Sequence, residues 1–160
     1  ERHAYNNDIN RFRGWWGNHL SNRFNMREPF QSIPGADGWQ ISTPTILSMA
    51  AIKASLEIFK DVGMKKLCKK STLLTSYLEF LLQDLNSTKI NIITPKESVS
   101  RGCQISIEII DANKKFHESL TDLGVITDWR DPNVIRCAPT PLYNSFVDVY
   151  LFVEKLKLLI

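Results

Sequence analysis

The sequence predicts an α+β fold, in which helices cover one face of a small sheet, preceded by a loop-rich segment. From residue 45 the helical and strand patterns follow in the order α-α-β-β-α-β-β-α. Strands joined by tight turns, with helices gathered on one face, are typical of α+β layer packing. Hydrophobic residues make up 43% of the 160 residues and charged residues 23%, which suits one globular core.

The segment before residue 45 differs in composition from the rest of the chain. It contains three of the four tryptophans, four of the seven glycines and three of the seven prolines, with little helical or strand periodicity. Long loops in compact domains are usually functional or belong to a neighbouring structure. We therefore predict two parts, a loop-rich segment over residues 1–44 and a regular domain over residues 45–160.

Two helices are predicted at the start of the regular domain. Pro44 suits a first helical turn with Thr43 as the N-cap, and Gly63 marks the break after it. The apolar face of this first helix carries Ile46, Met49, Ile52, Leu56 and Phe59. A second helix is predicted over residues 64–85, with Leu67, Leu74, Leu78 and Leu81 inward. Its opposite face, with lysines at 65, 66, 69 and 70, indicates a solvated surface rather than a nucleic-acid site.

Two strands and a third helix come next. Residues 90–94 are β-branched and stop at Pro95, and residues 103–109 alternate with period two, which is the clearest strand signal in the chain. Asp111 is the predicted cap of a third helix, which ends at Gly124. Its apolar residues are Phe116, Leu120 and Leu123.

A hairpin and a last helix complete the predicted domain. Strands over residues 125–129 and Val134–Cys137 are joined by an Asp131-Pro132-Asn133 turn. Ser145 and Asp148 form a candidate capping box for the final helix. The apolar face of that helix carries Phe146, Val149, Phe152, Val153 and Leu156.

Charge, cysteine content and hydropathy exclude several classes of protein. A net charge of +3 gives no support for a nucleic-acid partner, and no run has the length of a membrane span. Three widely spaced cysteines without a CxxC pair argue against a disulfide framework or a zinc site and favour a reducing compartment such as the cytoplasm. The three histidines share no metal-ligand spacing, so no metal site is predicted. Cys103 and Cys137 are expected to be small core residues in strands.

Arg136 is the first candidate binding residue. It lies on a predicted strand just before a proline-rich segment that cannot continue a sheet, so it is expected to project towards an opening. Its planar fork can bind a carboxylate with two hydrogen bonds, as needed to fix an amino-acid substrate. A surface arginine beside an acidic residue would have the same sequence, and this interpretation stays open.

The Trp15-Trp16 pair is the second candidate. Each indole offers a flat face and one N–H donor for an anionic oxygen, and the flanking Gly14 and Gly17 allow a close approach of the backbone to a ligand. Two core aromatics beside a loop are the alternative. Thr43 lies at a predicted helix start, where it can bind phosphate or simply cap the helix. From residue chemistry alone, the chain is a soluble α+β domain.

Seven short segments, in order, resemble one enzyme family. They are Gly-Trp-Trp-Gly at 14–17, Leu-Ser-Asn-Arg-Phe at 20–24, Ile-Ser-Thr-Pro-Thr-Ile-Leu at 41–47, Ala-Ser-Leu-Glu-Ile-Phe at 54–59, Asn-Ile-Ile-Thr-Pro at 91–95, Arg-Gly-Cys-Gln at 101–104 and Ile-Arg-Cys-Ala-Pro-Thr-Pro-Leu-Tyr-Asn-Ser-Phe at 135–146. Along nearly its whole length the chain resembles the C-terminal portion of the kynureninases. Ordered matches of this kind are far more specific than any one of them.

The resemblance implies a homodimeric α/β pyridoxal-phosphate enzyme of fold type I. Such enzymes hydrolyse L-kynurenine or 3-hydroxy-L-kynurenine to an anthranilate and L-alanine, in tryptophan catabolism and NAD biosynthesis, with pyridoxal 5'-phosphate as electron sink. By this resemblance Trp15 donates its indole N–H to the cofactor phosphate, and Thr43 lines the same composite site across the dimer interface. Arg136 would hold the substrate α-carboxylate, and Trp16 would form a wall of the pocket for the substrate ring.

Three departures from the family pattern limit what the resemblance implies. Vertebrate members carry asparagine where this chain has Thr43 and some bacterial members carry threonine, so the preferred substrate is left open. The motif usually continues Gly-His, but here it reads Gly17-Asn18-His19. The cofactor lysine follows a tyrosine in the family, and no lysine here has that context. It is therefore expected upstream, in a large domain of which residues 1–44 are the tail, and the chain alone is expected to be inactive.

Two alternatives remain at this stage. The first is another fold-type-I enzyme, such as a cysteine desulfurase-like lyase, which would need a catalytic cysteine in a mobile loop. The cysteines of this chain are predicted to lie in regular elements instead. The second is a non-catalytic α+β ligand-binding module, which would not need the tryptophan-rich opening segment.

Overall fold

The computed structural model describes residues 3–6, 8–25 and 29–160. They cluster into two compact units, Glu1–Glu57 and Ile58–Ile160. The regular elements are α1 (Ile46–Val62), α2 (Met64–Asp84), β1 (Ile90–Ile92), β2 (Ile105–Ile109), α3 (Lys114–Asp122), β3 (Asp128–Arg130), β4 (Val134–Cys137) and α4 (Phe146–Lys157). This confirms the predicted order of elements. Short 3₁₀ helices at Ala36–Trp39 and Ser98–Ser100 were not predicted.

The four strands of the second unit form one antiparallel sheet in the order β1-β2-β4-β3. Because side chains alternate across a strand, the sheet has two unlike faces. One face carries the buried residues Ile105, Ile107, Ile109, Ile135 and Cys137. The other face is polar and carries Ser106, Glu108 and Arg136. The sheet therefore has one face for the core and one for polar contacts.

Helices α2, α3 and α4 complete the core of the second unit. The helical residues in the buried cluster are Leu74, Leu78, Leu82, Leu120, Val149, Phe152, Val153 and Leu156. The predicted capping box at the start of α4 is present, since the Ser145 hydroxyl accepts from the backbone of Asp148 and the Asp148 carboxylate accepts from the backbone of Ser145. These hydrogen bonds hold the pKa of Asp148 below its usual value.

Several predicted boundaries and inward positions are wrong by a few residues. Helix α1 begins at Ile46, so Thr43 is not its N-cap. Helix α3 is capped by Asn113, whose side chain accepts from the backbone N–H of Lys115, and Asp111 instead takes a left-handed backbone conformation with φ 63°. In α2, Leu81 is partly buried and packs against the core as expected, and Leu82 is fully buried although it was not expected to be. Cys103 precedes β2 and is only partly buried.

Strands β1, β2 and β3 are shorter than predicted and the last hairpin begins later, whereas β4 has the predicted bounds. Strand β1 ends at Ile92 and β3 spans Asp128–Arg130 rather than residues 125–129. Residues 125–127 are rich in β-branched side chains, but they run from the end of α3 to the sheet without pairing in it. Local propensity favoured a strand there, but the backbone N–H of Val125 donates to the carbonyl of Leu120 in α3 instead of to a strand.

Helix α1 has the predicted apolar face, yet none of its residues is buried. Ile46, Met49, Ile52 and Leu56 are all exposed. Among the residues that the structure describes, no helix is both long enough and apolar enough to cross a membrane.

Candidate functional site

The turn formed by Gly14, Trp15, Trp16 and Gly17 lies directly against the backbone of residues 38–41. A Cβ at Gly14 would lie 1.9 Å from the carbonyl oxygen of Ile41, and one at Gly17 would lie 2.8 Å from that of Gln40. No side chain fits at those distances, so the two glycines are required by backbone packing. The predicted close approach is therefore present, but to another segment of the chain rather than to a ligand.

The side chain of Asn18 stabilises the same loop by hydrogen bonds to its backbone. Its side-chain oxygen accepts from the backbone N–H groups of His19 at 3.0 Å and Gln31 at 2.9 Å, and its amide donates to the carbonyl of Asn22 at 3.2 Å. The side chain is buried, and these three hydrogen bonds all go to backbone groups. His19 is exposed, with its Nδ1 2.9 Å from the hydroxyl of Ser21. In the Gly17-Asn18-His19 sequence, the side chain of Asn18 therefore binds backbone groups and the imidazole of His19 is exposed.

Trp16 and Thr43 meet in this first unit. The indole N–H of Trp16 donates to the hydroxyl oxygen of Thr43 at 3.0 Å. The guanidinium of Arg23 lies 4.5 Å from the centre of the Trp16 ring and donates to the Trp16 carbonyl at 3.3 Å. A cation over an indole face is an attractive arrangement, and it fixes the plane of the ring. The hydroxyl of Thr43 accepts this bond and keeps its own proton for a further acceptor.

Trp15 has 53% of its surface exposed and packs on Phe24 with ring centres 5.5 Å apart. It borders a shallow pocket of about 240 Å³, whose other polar residues are Arg13, Asn18, Arg23 and Asn25. The Nε of Arg23 is buried without a hydrogen-bond partner in the part of the chain that the structure describes. Among the lining residues that the structure describes, the indole N–H and two guanidinium groups are donors and none is a carboxylate, so this pocket suits an anion.

Arg136 lies on the polar face of the sheet in the second unit, with Asp128 directly opposite it on β3. The Oδ2 atom of Asp128 accepts from Nε of Arg136 at 2.6 Å and also from its Nη2. Arg130 donates to the same oxygen through Nε at 3.1 Å. The hydrogen bond from Arg136, together with the charges of both arginines, lowers the pKa of Asp128. The acidic neighbour that sequence reasoning left open is therefore present.

The segment after Arg136 is tied to helix α2. The ammonium group of Lys70 donates to the carbonyl of Pro141 at 2.8 Å, so this lysine is not a purely solvated one. The side chain of Asn144 accepts from the backbone N–H of Thr140 at 2.8 Å. A separate pocket of about 280 Å³ lies between α4 and residues 124–127, and it does not include Arg136.

The candidate residues are thus divided between the two units. Trp15, Trp16 and Thr43 belong to Glu1–Glu57, whereas Arg136 belongs to Ile58–Ile160. Within the described ranges, 3–6, 8–25 and 29–160, no group of three histidine, cysteine or acidic side chains is arranged to hold a metal ion.

The sequence profile described as "Kynureninase C-terminal domain" matches residues 67–156, more than half of the chain and including Arg136. The chain belongs to the kynureninase family. The resemblance inferred from the sequence segments is thereby confirmed.

Curated kynureninases align with nearly the whole chain. The one from Myxococcus xanthus is 48% identical and that from Koribacter versatilis is 46% identical, over 98% and 97% of this chain and 37% of each of those proteins. A kynureninase from Nematostella vectensis is 41% identical over 98% of this chain and 36% of its own length. The chain therefore spans little more than a third of the length of these relatives.

Solved structures share the fold at much lower identity. A cysteine desulfurase from Thermococcus onnurineus superposes with a TM-score of 0.68 at 13% identity, over 92% of this chain and 38% of that one. The cystine C–S lyase C-DES, in complex with cysteine persulfide, gives a TM-score of 0.67 at 14% identity, over 92% and 38%. At such identities the likeness concerns the fold alone. It is the predicted fold of type I pyridoxal-phosphate enzymes, seen here for the C-terminal portion.

Two residues that contact the candidates were missed by sequence reasoning. Arg23 lies in a family-like segment, Leu-Ser-Asn-Arg-Phe, but nothing in that pattern shows that its guanidinium covers Trp16. Asp128 could have been found from the hairpin alone, by pairing outward from the turn until a residue stands opposite Arg136.

Proposed function

We propose that the full-length protein is a kynureninase, a hydrolase of carbon–carbon bonds that uses pyridoxal 5'-phosphate. It adds water across the Cβ–Cγ bond of L-kynurenine, of 3-hydroxy-L-kynurenine or of both, and releases an anthranilate and L-alanine. The observation that carries this proposal is the family match over residues 67–156, with 48% identity to a curated kynureninase along nearly the whole chain. Such an enzyme serves tryptophan catabolism and NAD biosynthesis in the cytoplasm.

The direct test is hydrolysis by the full-length protein supplied with pyridoxal 5'-phosphate. Anthranilate or 3-hydroxyanthranilate would be followed by fluorescence and L-alanine by chromatography, with both substrates measured side by side. Equal molar amounts of the two products are expected, because one C–C bond is cleaved for each water consumed. A pure, cofactor-loaded protein that releases neither product would contradict the proposal.

The donor set of the first unit fits the cofactor phosphate. In the proposed site Trp15 donates its exposed indole N–H to a phosphate oxygen, while Arg13 and Arg23 supply positive charge at the same pocket. The free proton of the Thr43 hydroxyl adds a further donor at the composite site. When bound, pyridoxal phosphate supplies the electron sink that makes the Cβ–Cγ bond cleavable. The lysine that anchors it belongs to the upstream part of the protein, and the site is completed in a homodimer.

Trp15→Phe tests the phosphate role, because it keeps an aromatic ring and removes the N–H donor. The dissociation constant of pyridoxal phosphate should rise about tenfold, as expected for the loss of one hydrogen bond to a charged group. Titration by cofactor absorbance measures it. Trp39→Phe is the matched control, since Trp39 stacks under Arg11 and not at this pocket. Equal affinity of the Trp15→Phe and wild-type proteins would contradict the assignment.

Arg136 is the proposed holder of the substrate α-carboxylate, and Trp16 forms a wall for the substrate ring. Arg136→Gln should lower kcat/KM at least about 30-fold, since loss of one partner of a hydrogen-bonded charge pair costs about 2–5 kcal/mol. The cofactor absorbance should stay unchanged. Arg130→Gln removes the same charge from the same hairpin and should lose much less, because Arg130 is more exposed. An unchanged kcat/KM in Arg136→Gln would remove this role.

A cysteine desulfurase-like activity is the second candidate, favoured by one observation. Cys103 lies outside the strands, in the segment between Ser98–Ser100 and β2, and is partly exposed. The expectation that the cysteines lie in regular elements is therefore wrong for Cys103, and it no longer argues against a lyase. Formation of L-alanine from L-cysteine by the full-length protein, with release of sulfide when a dithiol reductant is added, would support this activity if Cys103→Ser abolished it. The family match argues against a cysteine desulfurase-like activity.

A further inference from the structure

The register of the last hairpin places a carboxylate beside the proposed substrate-binding arginine. Asp128 and Arg136 are Cα partners across β3 and β4, so their side chains emerge on the same polar face of the sheet. On the other side, Arg136 is paired with Ser106 of β2, which is short and uncharged. Asp128 is therefore the acidic group that contacts Arg136 among the residues that the structure describes.

The contact occupies one edge of the guanidinium and leaves another open. Asp128 accepts from Nε and Nη2 of Arg136, which together form one side of the planar fork. The remaining edge is formed by Nη1 and the second N–H of Nη2, and Nη1 has no partner within the described ranges. A carboxylate binds a guanidinium through two adjacent N–H groups, so the open edge can take one carboxylate in plane with Asp128.

The local charge remains suitable for an anion despite the carboxylate. Arg130 donates to the same Oδ2 atom through Nε, and its Nη2 lies 3.1 Å away. Two guanidinium groups around one carboxylate leave a positive charge in excess. Without Arg130, the pair of Asp128 and Arg136 would be neutral overall, and an approaching carboxylate would gain less.

We propose that Asp128 is a positioning residue, which fixes the fork of Arg136 so that its open edge receives the substrate α-carboxylate. This inference rests on the proposed function, because it takes Arg136 as the carboxylate-binding residue. Asp128 does not contact substrate; it acts through Arg136. Fixing a long side chain before the substrate arrives lowers the entropic cost of binding, and the effect is confined to ligands that carry the carboxylate.

The test is Asp128→Asn in the full-length, cofactor-loaded enzyme. The amide keeps one oxygen acceptor but loses the charge, and charge-assisted hydrogen bonds are about twice as strong as neutral ones. KM for kynurenine should rise about tenfold with kcat changed less than about twofold, since the lost interaction is equal in ground and transition states. The inhibition constant of decarboxylated kynurenine, which lacks the α-carboxylate, should stay unchanged.

Three further variants separate positioning from a general structural role. Asp131→Asn is the matched control, because Asp131 is on the same hairpin but accepts from the indole of Trp129 at 2.8 Å. It should leave KM unchanged. Asp128→Glu should restore part of the affinity that Asp128→Asn loses, and it keeps the test valid should the asparagine variant fold poorly. In an Arg136→Gln background, Asp128→Asn should have no further effect on KM.

The outcomes distinguish failure of the proposed function from failure of the positioning role of Asp128. A wild-type enzyme that hydrolyses neither L-kynurenine nor 3-hydroxy-L-kynurenine overturns the proposed function and this inference with it. An active wild type whose KM is unchanged by Asp128→Asn overturns the positioning role alone. Equal weakening of kynurenine and of its decarboxylated analogue would also overturn it, because that pattern indicates a general disturbance of the pocket.

Discussion

Gly14→Ala offers a sharp test of how the tryptophan turn is built. The new Cβ would lie 1.9 Å from the carbonyl oxygen of Ile41 and 2.4 Å from its Cα, and both atoms belong to the backbone. Real Cβ atoms essentially never come closer than 3.0 Å, so the two segments must separate by about 1 Å at this point. Thr43, only two residues beyond Ile41, would move with that segment.

The displacement predicts both a stability and an activity effect. Overpacking of this kind costs about 1–3 kcal/mol, and a misplacement of about 1 Å in a catalytic site can cost about 100-fold in rate. The hydrogen bond from Trp16 to Thr43, 3.0 Å long, should be lost. We therefore expect a lower urea midpoint for the full-length enzyme, weaker cofactor binding and a kcat/KM reduced by up to about 100-fold.

Gly102→Ala is the matched control, because a Cβ there would meet nothing within 4 Å. It makes the same chemical change and should leave stability and cofactor affinity close to those of the wild type. If Gly14→Ala were as stable and as active as Gly102→Ala, the close approach would not be a constraint on this turn. The explanation of the Gly-Trp-Trp-Gly sequence by backbone packing would then be wrong.

Two further predictions concern the second unit. Ser145→Ala should destabilise the enzyme by about 1 kcal/mol at neutral pH, against the exposed mid-helix control Ser76→Ala. Because the pKa of Asp148 is lowered in the folded state, the contribution of the capping box is present above the usual aspartate pKa of about 3.9 and is lost as the pH falls through the lowered value. Urea midpoints that differ equally at neutral and strongly acidic pH would contradict this. Burial raises the pKa of the Cys137 thiol to about 12, so Cys137 should resist alkylation in the native enzyme while the exposed Cys68 reacts. Peptide mass spectrometry measures both, and equal labelling rates would refute the prediction.

The order of elements was predictable because the hydrophobic periodicity of helices and strands is visible in the sequence without knowledge of tertiary contacts. The alternation before Ile109 identified β2, and the Ser145 and Asp148 pair identified the start of α4. Boundaries were harder where two signals competed. Asp111 has the residue type of a cap, but Asn113 lies at the position where the helical backbone begins. Residues 125–127 have strand propensity but do not pair in the sheet.

The site was less predictable than the fold, because its contacts join distant parts of the sequence. Trp16 and Thr43 are 27 residues apart, and their hydrogen bond depends on two glycines that pack on an unrelated segment. Residue chemistry gave each candidate a function and a structural alternative, and it favoured the alternative. Only the ordered resemblance to a family favours the functional roles, and it gave no role to Arg23 or Asp128.

The two-faced sheet has a consequence for how function depends on folding fidelity. Arg136 and Ile135 are neighbours on β4, and one faces the polar side while the other fills the core. A slip of β4 by one residue would exchange them, bury a guanidinium among leucines and remove the proposed carboxylate-binding group in a single step. The apolar side chains of β4 therefore also determine on which face of the sheet Arg136 lies, because a chain with the wrong register cannot bury them in the core. Substitutions of Ile135 are therefore expected to reduce activity as well as stability.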